Sequence, residues 1–80
     1  MEKYAEAIDD YTSMINIDKY DIDAYMNRAY IFGKQKNYKS AIDDYNMIIK
    51  IDENNTSAIR NREIVMKEQE NTGKNGDLSN

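Results

Sequence analysis

Eighty residues make one small domain at most, and a hydrophobic content of 40% supports one modest core. The sequence contains no Cys and no His, which removes disulfides, thiolate and imidazole metal sites, cysteine nucleophiles and the usual neutral-pH general base. With 11 Lys and Arg against 15 Asp and Glu the net charge is −4, which argues against nucleic acid or an anionic membrane as partner.

The first predicted helix carries Tyr4, Ala7, Ile8, Tyr11, Met14 and Ile15 at the i, i+3, i+4, i+7 spacing of a single apolar stripe. An acidic turn follows, with Asp18, Asp21 and Asp23. It lacks the Gly and the closing Glu of a calcium loop, so no metal is expected there. Asp21 is placed to cap a second helix whose stripe is Ala24, Tyr25, Ala29 and Phe32. Gly33 through Asn37 is the predicted turn, with Asn37 as cap of a third helix striped by Tyr38, Ala41, Ile42, Tyr45, Ile48 and Ile49. Asn55-Thr56 opens a fourth helix with a thinner stripe, Ala58, Ile59 and Met66. Arg60, Arg62, Glu63, Lys67, Glu68 and Glu70 make that helix polar enough to face solvent. Residues 71–80, with Gly73 and Gly76, read as a flexible tail. No apolar run approaches the roughly 20 residues that span a bilayer. Met1-Glu2-Lys3-Tyr4 lacks the layout of a signal peptide, so a soluble, cytoplasmic protein is expected.

The chain repeats itself. AIDDY occurs at Ala7 to Tyr11 and again at Ala41 to Tyr45, an offset of 34. At this offset residues 4–28 give 12 identities in 25 positions, where chance gives about two. Tyr4 falls on Tyr38, Ile15 on Ile49, Asp18 on Asp52, Ala24 on Ala58, and Asn27-Arg28 on Asn61-Arg62. The repeating unit is therefore an antiparallel helix–turn–helix pair. Asp9-Asp10 and Asp43-Asp44 mimic catalytic dyads only in the one-letter string. Neighbours on a helix point about 100° apart and cannot share a proton, and the pairs are expected on the solvated outer face.

A 34-residue helical pair with small Ala29 and Ala41 at the close crossing, bulky Tyr25, Phe32, Tyr45 and Ile48 around it, and Asn37-Tyr38 opening the second helix resembles the tetratricopeptide repeat. The likeness is best over residues 22–55, read as one complete repeat, and covers about 70 residues in all. It implies an all-α fold, a TPR-like α-solenoid of four helices. Residues 1–21 would supply the second helix of a truncated repeat and residues 56–70 a capping helix, making a domain of residues 1–70. Three positions depart from the pattern: Lys36 for the inter-helix Gly, Lys19 and Glu53 for the Pro after the second helix, and Glu63 for a small residue in the last helix.

The resemblance also implies where function would lie. First helices of such repeats line a concave surface that takes an extended peptide or a partner's helix. Carried over by position, that surface comprises Met26, Asn27, Tyr30 and Lys34 from the complete repeat and Arg60, Asn61, Ile64 and Lys67 from the last helix. Asp23, Gly33 and Ser57 fall on the same faces. Asn27 and Asn61 match the family's recurrent Asn, able to hold a peptide amide by two bonds. Lys34, Arg60 and Lys67 offer cations to a carboxylate, but Tyr30 and Ile64 stand where the family's carboxylate-clamping members carry Asn. Tyr4, Tyr11, Tyr25, Tyr38 and Tyr45 are expected in the core, whereas Tyr30 lies off its helix stripe. The expected function is a protein-interaction module, not an enzyme, with no cofactor and with weak binding, micromolar or poorer. A second reading is an assembly element, a homodimer or a piece of a longer array, covering the exposed face of Tyr4, Ile8 and Tyr11.

Overall fold

The computed structural model describes the backbone of residues 3–78 and the side chains of residues 3–72. Four helices run in order: α1 (Tyr4–Ile17), α2 (Ile22–Lys34), α3 (Tyr38–Ile51) and α4 (Thr56–Leu78). Each packs on its sequence neighbour, α1 on α2, α2 on α3 and α3 on α4, in a flat stack of 46 × 33 × 15 Å. No strand occurs among the described residues. The all-α, TPR-like architecture implied by the sequence is therefore the observed one.

The core follows the repeat. Ala24, Ala29, Ala41 and Ala58 are fully buried, because a methyl at each crossing lets two backbones approach closely. Tyr25, Tyr45, Ile48, Ile15 and Val65 fill the spaces between. Tyr4, Tyr11 and Tyr38 are only half-buried. Met66, expected on the core stripe of α4, is 46% exposed, and its neighbour Val65 is buried instead. Among the described residues α4 packs closely on α3, and Val65 lies on the side that meets it.

The turns carry the repeat as faithfully as the helices. Asp18 Oδ1 accepts from Tyr20 N at 3.0 Å, and Asp21 N–H donates to the Asp18 carbonyl. Thirty-four residues on, Asp52 Oδ1 accepts from Asn54 N at 3.2 Å, and Asn55 N–H donates to the Asp52 carbonyl. Asp21 and Asn55 then cap α2 and α4 by accepting from Ala24 N and Ala58 N at 3.1 and 3.0 Å.

Two expectations about the other turn are corrected. Gly33 lies inside α2, which continues to Lys34, so the turn is Gln35–Asn37 rather than Gly33–Asn37. Lys36 takes the left-handed conformation, φ 62°, usual for glycine. Its N–H donates to the Gly33 carbonyl and that of Asn37 to the Phe32 carbonyl, the Schellman pattern. Asn37 does not cap α3 with its side chain; its backbone N–H is already committed to ending α2.

Residue 70 does not end the last helix. α4 runs on to Leu78, through most of the segment expected to be a flexible tail. Thr72 Oγ1 bonds the Glu68 carbonyl one turn back, and helix-forming Glu, Gln and Lys precede it. A single Gly costs a helix only about 1 kcal/mol, too little to stop it by itself. Residues 79 and 80 lie outside the described residues.

Candidate functional site: a groove between two helices

α2 and α4 are both followed or preceded by α3, so their outer faces converge over it and leave a groove. Ala29, Tyr45 and Val65, all buried, form its floor. Tyr30, Gly33 and Lys34 from α2 form one wall, and Asn61, Ile64 and Glu68 from α4 the other, enclosing about 290 Å³. At Gly33, Lys34 and Glu68 the groove opens into a second depression bordered by Lys36, Tyr38, Asn71 and Thr72. Together they make an elongated channel with an apolar base and polar margins.

Its margins have specific chemistry. Tyr30 is 59% exposed and Ile64 48%, two large side chains left facing solvent across a concavity. The Lys34 ammonium stands 5.4 Å from the centre of the Tyr30 ring, a cation–π contact between two exposed side chains. Glu68 lies opposite, so the groove presents a cation and an anion at one end, and Lys36 adds a second cation where the channel opens out. Asn61 turns its Nδ2 to the sulfur of half-buried Met26 at 3.8 Å, a weak bond that leaves the amide oxygen free. Gly33 has open space where a Cβ would stand, so no packing demands a glycine there.

Of the residues carried over by position, Tyr30, Lys34, Asn61 and Ile64 line this groove, and Met26 touches it through Asn61. Asn27, Arg60 and Lys67 are exposed on the helices but do not border it. Glu68 was not singled out as a groove residue from the sequence. Its signal was its spacing, since Ile64 and Glu68 are one helical turn apart.

Below the groove lies the one ion pair of the described residues that is largely buried. Arg28 Nε and Nη2 donate to Asp44 Oδ2 and Oδ1 at 2.9 and 2.7 Å, and Nη1 donates to Thr12 Oγ1 at 3.0 Å. The guanidinium also stands 5.8 and 5.7 Å from the rings of Tyr25 and Phe32. Asp44 is 5% exposed, which corrects its expected place on the outer face; its neighbour Asp43 does face solvent and pairs with Lys39. The bond to Asp44 raises the Arg28 pKa above its ordinary value against the opposing effect of burial. Burial, and secondarily the Asp44 charge, pushes the Tyr45 phenol up.

No helix of the described residues is long and apolar enough to cross a membrane. Among the same residues no group of three or more acidic side chains is placed to hold a metal ion. Residues 22–55, the segment from α2 to the turn after α3, match the family model of the tetratricopeptide repeat. The chain therefore carries a repeat of this family, over the residues from which the sequence pattern implied one. No curated protein matches the chain closely enough to be counted a relative. Repeats of this family serve in general as protein–protein interaction modules and are not typically catalytic.

Proposed function

We propose that the chain acts as a cytoplasmic protein-interaction module whose α2–α4 groove takes an extended segment of a partner protein. Its action is binding rather than catalysis. The observation that carries this reading is the pairing of exposed Tyr30 and Ile64 across an apolar floor. Two large apolar surfaces facing each other over a concavity gain most when a side chain fills the space between them. A protein segment suits the groove better than a nucleic acid or a lipid surface, because the chain is net acidic and the groove offers one cation and one anion. Lys34 and Glu68 would orient the segment, and the Asn61 amide oxygen would accept a backbone N–H.

The test is to pan a random peptide library on the immobilised chain and measure the selected peptides by titration. Tyr30→Ala and Ile64→Asp are each expected to weaken binding about tenfold or more. Tyr20→Ala, at a side chain 69% exposed and away from the groove, is expected to leave it unchanged. Selected peptides indifferent to both groove variants would overturn the assignment.

A further inference from the structure

The 34-residue repeat gives each position of α1 a twin in α3, and each position of α4 as far as Glu68 a twin in α2, so burial can be compared pair by pair. α3 packs on both α2 and α4, whereas α1 packs closely on α2 alone. On α3, Ala41 and Ile48 are fully buried, Tyr45 is 4% exposed and Asp44 5%. Their twins on α1 are Ala7 and Tyr11, which are half-buried, Asp10, which is exposed, and Met14, 43% exposed. One face of α1 is thus built like the covered face of α3 and left open.

The opposite end of the stack lacks the complementary piece. Arg28 on α2 bridges two helices, with Nη1 on Thr12 of α1 and Nε and Nη2 on Asp44 of α3. Its twin Arg62 on α4 repeats only the first half, donating from Nη1 to Asn46, the twin of Thr12, at 2.7 Å. Arg62 Nε is buried with no hydrogen-bond partner, the one such side-chain atom among the described residues. A buried donor without an acceptor loses its bonds to water and gains none in return, a cost that is larger for a charged group. Position 78, where the next equivalent of Asp44 falls, is Leu. Yet the chain does carry such a carboxylate on a matching helix: Asp10, in the same AIDDY string, exposed and in no ion pair among the described residues.

We propose that copies of this chain associate head to tail, α1 of one copy seating on α4 of the next as α3 seats on α2 within a chain. Asp10 of the first copy then accepts from Arg62 of the next as Asp44 accepts from Arg28. Ile59 and the exposed Met66 of the next copy cover Ala7 and Tyr11 of the first. The helix order of one chain makes the match self-consistent, since α4 followed by a second α1 continues the alternation of α2 and α3. Glu63 stands where Ala29 occupies the close crossing of α2 and α3, and it holds the contact weak. This surface is on the far side of α4 from Asn61, Ile64 and Glu68, so it is independent of the groove.

The contact is heterologous, so its stoichiometry identifies it. Sedimentation of the 80-residue chain from about 10 µM to about 1 mM is expected to show a mass that climbs past that of a dimer. Asp10→Arg, at an exposed position, disables only the α1 end, and Met66→Asp disables only the α4 end. Each variant alone is expected to stay monomeric with its helicity intact. Mixed, they retain one working end each and are expected to form a capped 1:1 dimer, at least tenfold tighter than either self-association. Glu63→Ala is expected to tighten wild-type association about tenfold. A wild-type chain that is monomeric at the highest concentration overturns the proposal and leaves the open faces to a different helix. So does a dimer that the two variants abolish but their mixture does not restore.

Discussion

Asp44 is the residue on which most of this small structure converges. Its carboxylate holds Arg28, and Arg28 holds Thr12, so one ion pair ties α1, α2 and α3 together. With side-chain exposures of 18% for Arg28 and 6% for Asp44, loss of one partner strands a desolvated charge. Asp44→Ala is therefore expected to cost about 3–5 kcal/mol, a large share of the roughly 5 kcal/mol available to a domain of this size. Urea titration followed by helicity checks this, and a loss below about 1 kcal/mol would mean the pair behaves as an exposed one. Tyr45 gives the neighbouring pH prediction. Its folded pKa lies above the ordinary 10.0, so both states hold the proton below pH 10.0 and its contribution to stability is complete there. As pH rises beyond that value the unfolded chain releases the proton first, and stability falls until the folded value is passed. Tyr45→Phe is expected to flatten this alkaline loss in melts recorded between about pH 9 and pH 11.

At the scale of elements, alternate helices start and end alike. Asp21 and Asn55 cap with their side chains, and Asp18 and Asp52 close the turns before them, so the α1–α2 and α3–α4 connections are chemical copies. The α2–α3 connection differs because Lys36 is forced into the left-handed region to complete the pattern that ends α2. A non-glycine residue there stores about 1 kcal/mol of strain. Lys36→Gly is accordingly expected to stabilise the chain by up to about 1 kcal/mol, less what glycine loses in the unfolded state. A rise in the urea midpoint with unchanged slope is the expected reading. A fall would show that the Lys36 side chain contributes more than its backbone costs.

Across the whole molecule, burial is concentrated in the middle and runs out at one end. Ala24, Tyr25, Ala29, Ala41, Asp44, Tyr45 and Ile48 belong to α2 and α3, whereas among the described residues no position after Val65 is buried. Local opening is easiest where few apolar contacts must be broken. Amide hydrogen exchange is therefore expected to be slowest in α2 and α3 and to quicken along α4 after Val65, over the stretch where Glu68 borders the groove. Uniform protection along α4 would mean that something covers its second half.

The sequence by itself determined the helices, their order and their pairing. Apolar spacing, two of the three caps and the 34-residue identity are local or periodic facts that need no distant contact. It also placed Tyr30, Lys34, Asn61 and Ile64 on faces that meet across the groove. Only the tertiary structure decided that Asp44 is buried and Asp10 exposed, because the two occupy identical strings and differ only in whether a neighbouring helix brings a guanidinium to them. The same holds for Glu68, for the exposure of Met66 and for Arg62 Nε, each fixed by what packs beside it rather than by its own spacing. Periodicity specifies the direction in which a side chain points; burial depends on whether anything is there to meet it.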